Sequence, residues 1–166
     1  MDGSPPDLAE LERALGLAHR AIGRREYTVA QMRELLERRG LSQGTIDAAV
    51  VELAGAGLLD DARFARRFAG DKRELEQWGG RRIASELGRK GVSEDEIAAV
   101  VGAHGQRDEL DSARLLLERR LPEAPRDDRG RDRAWRLLVR RGYEPELAYE
   151  AIREHERAAG ASADLD

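Results

Sequence analysis

Nine basic side chains crowd the middle of the sequence: Arg63, Arg66, Arg67, Lys72, Arg73, Arg81, Arg82, Arg89 and Lys90. Only two of the chain's 29 cations are lysines, and the guanidinium fork of arginine matches carboxylates and phosphates in a way a lysine ammonium does not. Residues 60–91 carry 9 basic and 6 acidic groups, against 7 and 9 in residues 1–59 and 13 and 18 in residues 92–166. That stretch alone is net basic in a chain of net charge −4. Such a surface is suited to phosphates or to an acidic protein. Each of these cations has a competing explanation as solvated helix surface, and Arg89 and Lys90 have one as C-terminal helix caps. Trp78, placed among them, reads as a packing residue before a base-stacking one.

Other chemistry finds little support. The 3 histidines, His19, His104 and His155, have no metal-ligand spacing and no carboxylate set around them. The 0 cysteines exclude a disulfide scaffold, thiolate zinc sites and a Cys nucleophile. No phosphate loop with Lys and Ser or Thr is present, and Gly79 and Gly80 before Arg81 and Arg82 follow no strand signal. The chain reads as a non-enzyme that needs no metal or cofactor. It has no run of about 18 apolar residues and no signal-peptide pattern at its start, so the expected location is the cytoplasm and no membrane partner is expected.

The elements that must hold these cations show an internal repeat. Residues 32–53, 83–104 and 134–155 align on Gly40, Gly91 and Gly142, which are 51 residues apart, and the first segment shares 7 identities with each of the others. Leu36, Leu87 and Leu138 each precede the glycine by one helical turn and are expected at equivalent buried positions. Each glycine follows a basic pair, which is how an amphipathic helix ends, with Gly in the left-handed conformation. Ser42, Ser93 and Pro145 then start the next helix. Upstream, residues 8–24, 60–78 and 107–120 have helical apolar spacing. With 40% apolar residues and 4% aromatic, the core is aliphatic and the predicted class is all-α. Three tandem three-helix repeats are expected, over residues 8–58, 59–105 and 106–158, forming an elongated, curved array with disordered ends at 1–7 and 159–166.

The stretch LLDDARFARRFAGDKRELEQWGGRRIASELGRKGV, residues 58–92, resembles the RecX family of bacterial RecA regulators. The resemblance rests on Leu59, Asp60 and Asp61 followed by Arg63, Phe64 and Ala65, then Phe68, then Gly79 with Arg82, Ile83, Glu86, Leu87, Lys90 and Gly91. It extends to residues 24–40, where Gln31 and Met32 replace the family's usual Glu-Leu pair, and covers roughly residues 9–157. It implies a monomeric protein that binds the RecA recombinase filament on single-stranded DNA and damps recombination, ATP hydrolysis and co-protease activity, without a cofactor. It also implies that Phe64, Ala65, Phe68, Ile83 and Leu87 are core, that Gly79 and Gly91 are turns, and that Asp60 or Asp61 is a cap. Arg82 and Lys90 are the motif positions with the least structural explanation, and the resemblance together with the basic charge of the middle unit makes them, with neighbouring Arg66, Arg67, Lys72, Arg73, Arg81 and Arg89, the expected filament-facing surface. Changing Arg81 and Arg82 to Glu is expected to leave the fold intact. The alternative reading is an independent nucleic-acid-binding protein of helix-turn-helix type, built on the basic middle unit.

Overall fold

A computed structural model describes residues 7–163, and among them the chain forms helices and no strand. In order these are α1 (Leu8–Ile22), α2 (Val29–Arg38), α3 (Gln43–Gly55), α4 (Asp61–Glu76), α5 (Gly80–Arg89), α6 (Glu94–Gly102), α7 (Gln106–Arg120), α8 (Asp128–Arg141) and α9 (Pro145–Ala163). The all-helical expectation is correct. Asp7, expected in a disordered end, instead N-caps α1, and α9 runs on through residues 159–163. The disorder expected at 1–6 and 164–166 lies outside the described residues.

Local rules set the helix ends. Thr28 and Ser93 form capping boxes with Gln31 and Glu96, while Ser42 and Asp127 cap α3 and α8. Asp60 accepts a hydrogen bond from the Arg63 N–H at 2.8 Å and so starts α4. At the other ends, Gly40, Gly91 and Gly142 have φ of +74°, +79° and +94°. The N–H of each glycine bonds to a carbonyl three residues back. The N–H of Leu41, Val92 and Tyr143 bonds to Leu36, Leu87 and Leu138 at 3.4, 3.1 and 3.2 Å. This paired 5→2 and 6→1 arrangement is the Schellman motif, formed three times at the same position. The three leucines are fully buried, as expected.

The chain divides into two compact units, Met1–Arg67 with Leu87–Ile97, and Phe68–Glu86 with Ala98–Asp166. The first is centred on Ala14, Ala18, Met32, Leu36, Ile46 and Leu53, contributed by α1, α2 and α3. The second is centred on Leu116, Leu117, Leu138, Tyr143, Ala148 and Ile152, contributed by α7, α8 and α9 with Tyr143 from the turn between α8 and α9. The helices of the middle repeat, α4 to α6, are shared between the units. In the first unit Ala65, Leu87 and Val92 are buried, and in the second Ala69, Trp78, Ile83 and Val100. Phe64 and Phe68, expected in the core, are only partly buried.

Candidate partner-binding surface

Of the eight predicted cations, four belong to each unit. In the first, Arg66 and Arg67 lie on consecutive positions of α4, and Arg89 and Lys90 lie where α5 ends. Arg66 is exposed and has no ion-pair or hydrogen-bond partner among the described residues. Arg67 is exposed too, but its Nη1 sits 2.7 Å from Glu26 Oε1, just before α2. Arg89 and Lys90 complement the C-terminal dipole of α5, and neither is free of interactions within the protein.

The main-chain carbonyl of Lys90 does further work. It accepts a hydrogen bond from the buried Thr28 hydroxyl at 2.6 Å, and that same hydroxyl oxygen accepts from the Gln31 N–H. The Val29 N–H, unsatisfied within its own helix, donates to Asp61 Oδ1 at 2.9 Å. The N-terminus of α2 thus receives a carbonyl from the end of α5 and a carboxylate from the start of α4. Burial pushes the Asp61 carboxyl above its ordinary range, and neighbouring Glu96 and Asp60 push it further, against the Val29 hydrogen bond. A role for Asp61 as a helix cap was anticipated, but for α4 rather than α2.

The second unit repeats this joint with other groups. The N–H of Gly79, one residue before α5, donates to the Arg141 carbonyl at 2.8 Å. The N–H of Gly80 donates to Glu109 Oε1 at 2.6 Å. Thr28 and Gly79 are 51 residues apart, as are Lys90 and Arg141, so the two joints occupy the same place in the repeat.

Around this second joint Trp78 gathers two of the predicted cations. It is buried, as the sequence suggested, with Phe68 edge-on at 6.3 Å. The Lys72 ammonium lies 4.7 Å and the Arg82 guanidinium 3.9 Å from its ring centroid, both within cation–π range. Lys72 also pairs with Glu76, whose carboxyl is held below its ordinary range chiefly by that hydrogen bond. Arg82 Nη1 approaches the Arg140 carbonyl at 3.5 Å, so this motif residue has a structural role that sequence reasoning missed. Reversing its charge therefore disturbs packing as well as any outward contact. Arg81 Nε lies 3.6 Å from Glu144. Arg73 is partly buried beside the Val100 carbonyl, and desolvation lowers its pKa against the pull of Glu109. Counterions such as Glu26 and Glu144 come from distant parts of the chain and left no local signal, whereas Lys72 and Glu76 are spaced i, i+4.

Among the described residues no group of three or more His, Cys, Asp or Glu side chains could hold a metal ion. His155 Nε2 meets the Leu121 carbonyl at 2.9 Å, and His104 Nε2 is 3.7 Å from Glu109. No described helix is long and apolar enough to cross a membrane.

Comparison with known proteins settles the family. A regulatory protein RecX of Thermobifida fusca (strain YX) is 34% identical over 165 residues, spanning 98% of this chain and 88% of that protein. The chain belongs to the RecX family. The model of the second three-helix domain of RecX matches residues 60–101. The regulatory protein RecX of Halorhodospira halophila is 37% identical over 150 residues, 90% of this chain and 87% of its own. The crystal structure of RecX from Lactobacillus salivarius superposes with a TM-score of 0.82 at 13% identity, covering 89% of this chain and 97% of that one, a likeness of fold. RecX relatives are named regulatory proteins, and a regulatory role is what the family brings to this chain.

Proposed function

We propose that this protein restrains the RecA recombinase: it binds the RecA filament on single-stranded DNA and suppresses strand exchange, ATP hydrolysis and co-protease activity, modulating DNA repair. The observation that carries this reading is RecX membership across 98% of the chain. The protein acts as a cytoplasmic monomer, by contact rather than by catalysis, and reaches DNA chiefly through the filament. Three successive three-helix units offer surface to more than one filament protomer.

Within the filament-facing set, the exposed cations Arg66, Arg67, Arg81, Arg82 and Arg89 meet recombinase carboxylates or DNA phosphates, giving orientation and encounter rate more than raw affinity. Lys72 acts with Trp78 as a positioning residue, Arg73 positions the Val100 carbonyl, and Lys90 anchors the end of α5. The test is RecA ATPase on single-stranded DNA titrated with this protein. Suppression is expected, and an unchanged rate at saturating protein would refute the reading. Arg66→Glu is the cleanest site probe, because that side chain has no partner among the described residues to lose. It should leave the melting temperature within about 1 °C, since isolated surface changes are nearly neutral, and weaken suppression most at low salt. Tight, steeply salt-dependent binding to bare oligonucleotide without RecA would favour an independent nucleic-acid-binding protein instead.

A further inference from the structure

The first unit holds a second cationic feature, separate from the central set. Leu17, Arg20, Ala21 and Arg24 recur at i, i+3, i+4 and i+7 along α1 and the turn after it. Together with Tyr27, Leu35 and Arg39 they line a cleft of about 260 Å³. Leu17, Ala21, Tyr27 and Leu35 are partly buried against the unit's core and form an apolar floor. Arg20, Arg24 and Arg39 are exposed at its rim. None of the three has an ion-pair partner among the described residues. Three carboxylates of the same unit are engaged elsewhere: Glu26 with Arg67, Glu34 with Arg38, and Glu10 with Ser42 and Thr45. One side of the cleft is already set, because the Arg25 guanidinium stacks 3.7 Å from the Tyr27 ring centroid and bonds the Gln31 side chain at 3.2 Å.

We infer that this cleft is a docking site for an acidic peptide segment of a partner protein, one carrying an apolar side chain among its carboxylates. Uncompensated guanidinium groups above an apolar floor complement carboxylates flanking an aliphatic or aromatic residue. The size of the cleft favours a peptide over a nucleic-acid strand: it has room for one or two side chains rather than a run of nucleotides.

The experiment titrates a fluorescein-labelled peptide of alternating Glu and Leu into the full chain, with the same peptide bearing Lys for Glu and an oligothymidine strand as parallel probes. The Glu peptide should bind, and Arg20→Gln with Arg24→Gln should weaken it about tenfold, as expected when two guanidinium groups no longer pair with its carboxylates. Amide shifts at Tyr27 and Leu35 on peptide addition would place it in the cleft. The melting temperature of the variant reports on folding. If that variant is unstable, Arg39→Gln, just after α2, gives the same reading with one charge removed. Equal affinity of wild type and variants, or equal binding of the Lys peptide, overturns the inference. Binding of oligothymidine alone, lost in the same variants, overturns it in favour of nucleic acid. RecA ATPase measured on these variants is a separate readout, so failure here leaves the proposed function standing.

Discussion

The two helix joints, one in each unit, solve one problem with different atoms. In both, the first N–H groups of a second-position helix meet the carbonyl end of the next repeat's second-position helix, so complementary dipole ends face each other and orphan groups are satisfied. In the first unit a side chain mediates: the Thr28 hydroxyl bridges its own helix and the Lys90 carbonyl. In the second a glycine stands at the Thr28 position and main chain meets main chain between Gly79 and Arg141, with the Arg81 N–H also reaching the Gly142 carbonyl at 3.1 Å and the Arg82 guanidinium alongside at the Arg140 carbonyl. The closer approach leaves no room. A Cβ on Gly79 would fall 2.4 Å from the Gly142 carbonyl carbon, and one on Gly142 would fall 2.4 Å from Arg82 Cβ and 2.5 Å from its nitrogen. On Gly91 the obstacle is one methyl group, Ala30 Cβ at 2.3 Å, and on Gly40, whose helix end has no preceding repeat to meet, nothing lies within 4 Å. One repeated turn therefore carries three different steric loads.

Those loads set an order of stability. Gly142→Ala combines left-handed strain with a collision against backbone and should cost about 4 kcal/mol, the largest loss in the series. Gly91→Ala should cost about 3 kcal/mol, since its obstacle is a single methyl group, and Gly40→Ala about 1 kcal/mol, the left-handed strain alone. Chemical denaturation of the three variants checks the ranking. Rescue separates the joints further. Adding Ala30→Gly to Gly91→Ala removes the colliding methyl, so the double variant should lose less than the sum of the single changes. Adding Arg82→Gly to Gly142→Ala should not help, because the Arg82 nitrogen remains at 2.5 Å. Equal losses at all three glycines would mean that strain, and not the joint, governs these positions.

Much of this was legible in the sequence because it is local. The 51-residue spacing, the basic pair before each glycine and the leucine one turn earlier specify a Schellman motif through rules that act within six residues. The RecX-like motif likewise marked Gly79 as a turn. The partners across each joint were not legible. Asp61 has the signature of an α4 cap yet bonds Val29, 32 residues away, and Glu109 looks like ordinary first-turn charge on α7 yet caps α5. Arg82 gave no sign of packing because its ring partner, Trp78, precedes the helix that carries it. Charge counting located the basic middle of the chain, but it could not separate Arg66, which has no partner among the described residues, from Arg67, whose partner lies 41 residues back.

Mediation by a side chain makes the first joint testable through Thr28 alone. Thr28→Val keeps the shape but removes the hydroxyl, leaving the Lys90 carbonyl and the Gln31 N–H without that partner in a buried setting. A loss of about 2 kcal/mol is expected. In the second unit the comparable single deletion is Tyr143→Phe, which frees only the Gln77 carbonyl from a 3.0 Å bond and should cost about 1 kcal/mol. A Thr28→Val protein as stable as wild type would show that the hydroxyl bridge contributes nothing and that dipole contact alone carries the joint.

The smallest expected effect concerns the carboxylate at the first joint and its dependence on pH. Asp61 faces the Val29 N–H, which favours its charge, while burial and the neighbouring Glu96 and Asp60 oppose it, with burial the largest influence. Its pKa in the folded protein is therefore raised above the ordinary 3.8. A raised carboxyl pKa means that the folded state holds its proton more tightly than the unfolded chain, so this group's contribution to stability is fully present below 3.8 and is lost as pH rises through the higher folded value. The start of the α4 dipole favours the anion and keeps the effect modest. Asp61→Asn preserves an oxygen to accept from Val29 but cannot ionise. Relative to wild type, the Asn variant should therefore gain in melting temperature as pH is raised from below 3.8 toward neutrality, and the difference should level off once Asp61 is fully ionised. A difference that shrinks over the same range would reverse the sign and show that the Val29 hydrogen bond and the helix dipole outweigh desolvation at this joint.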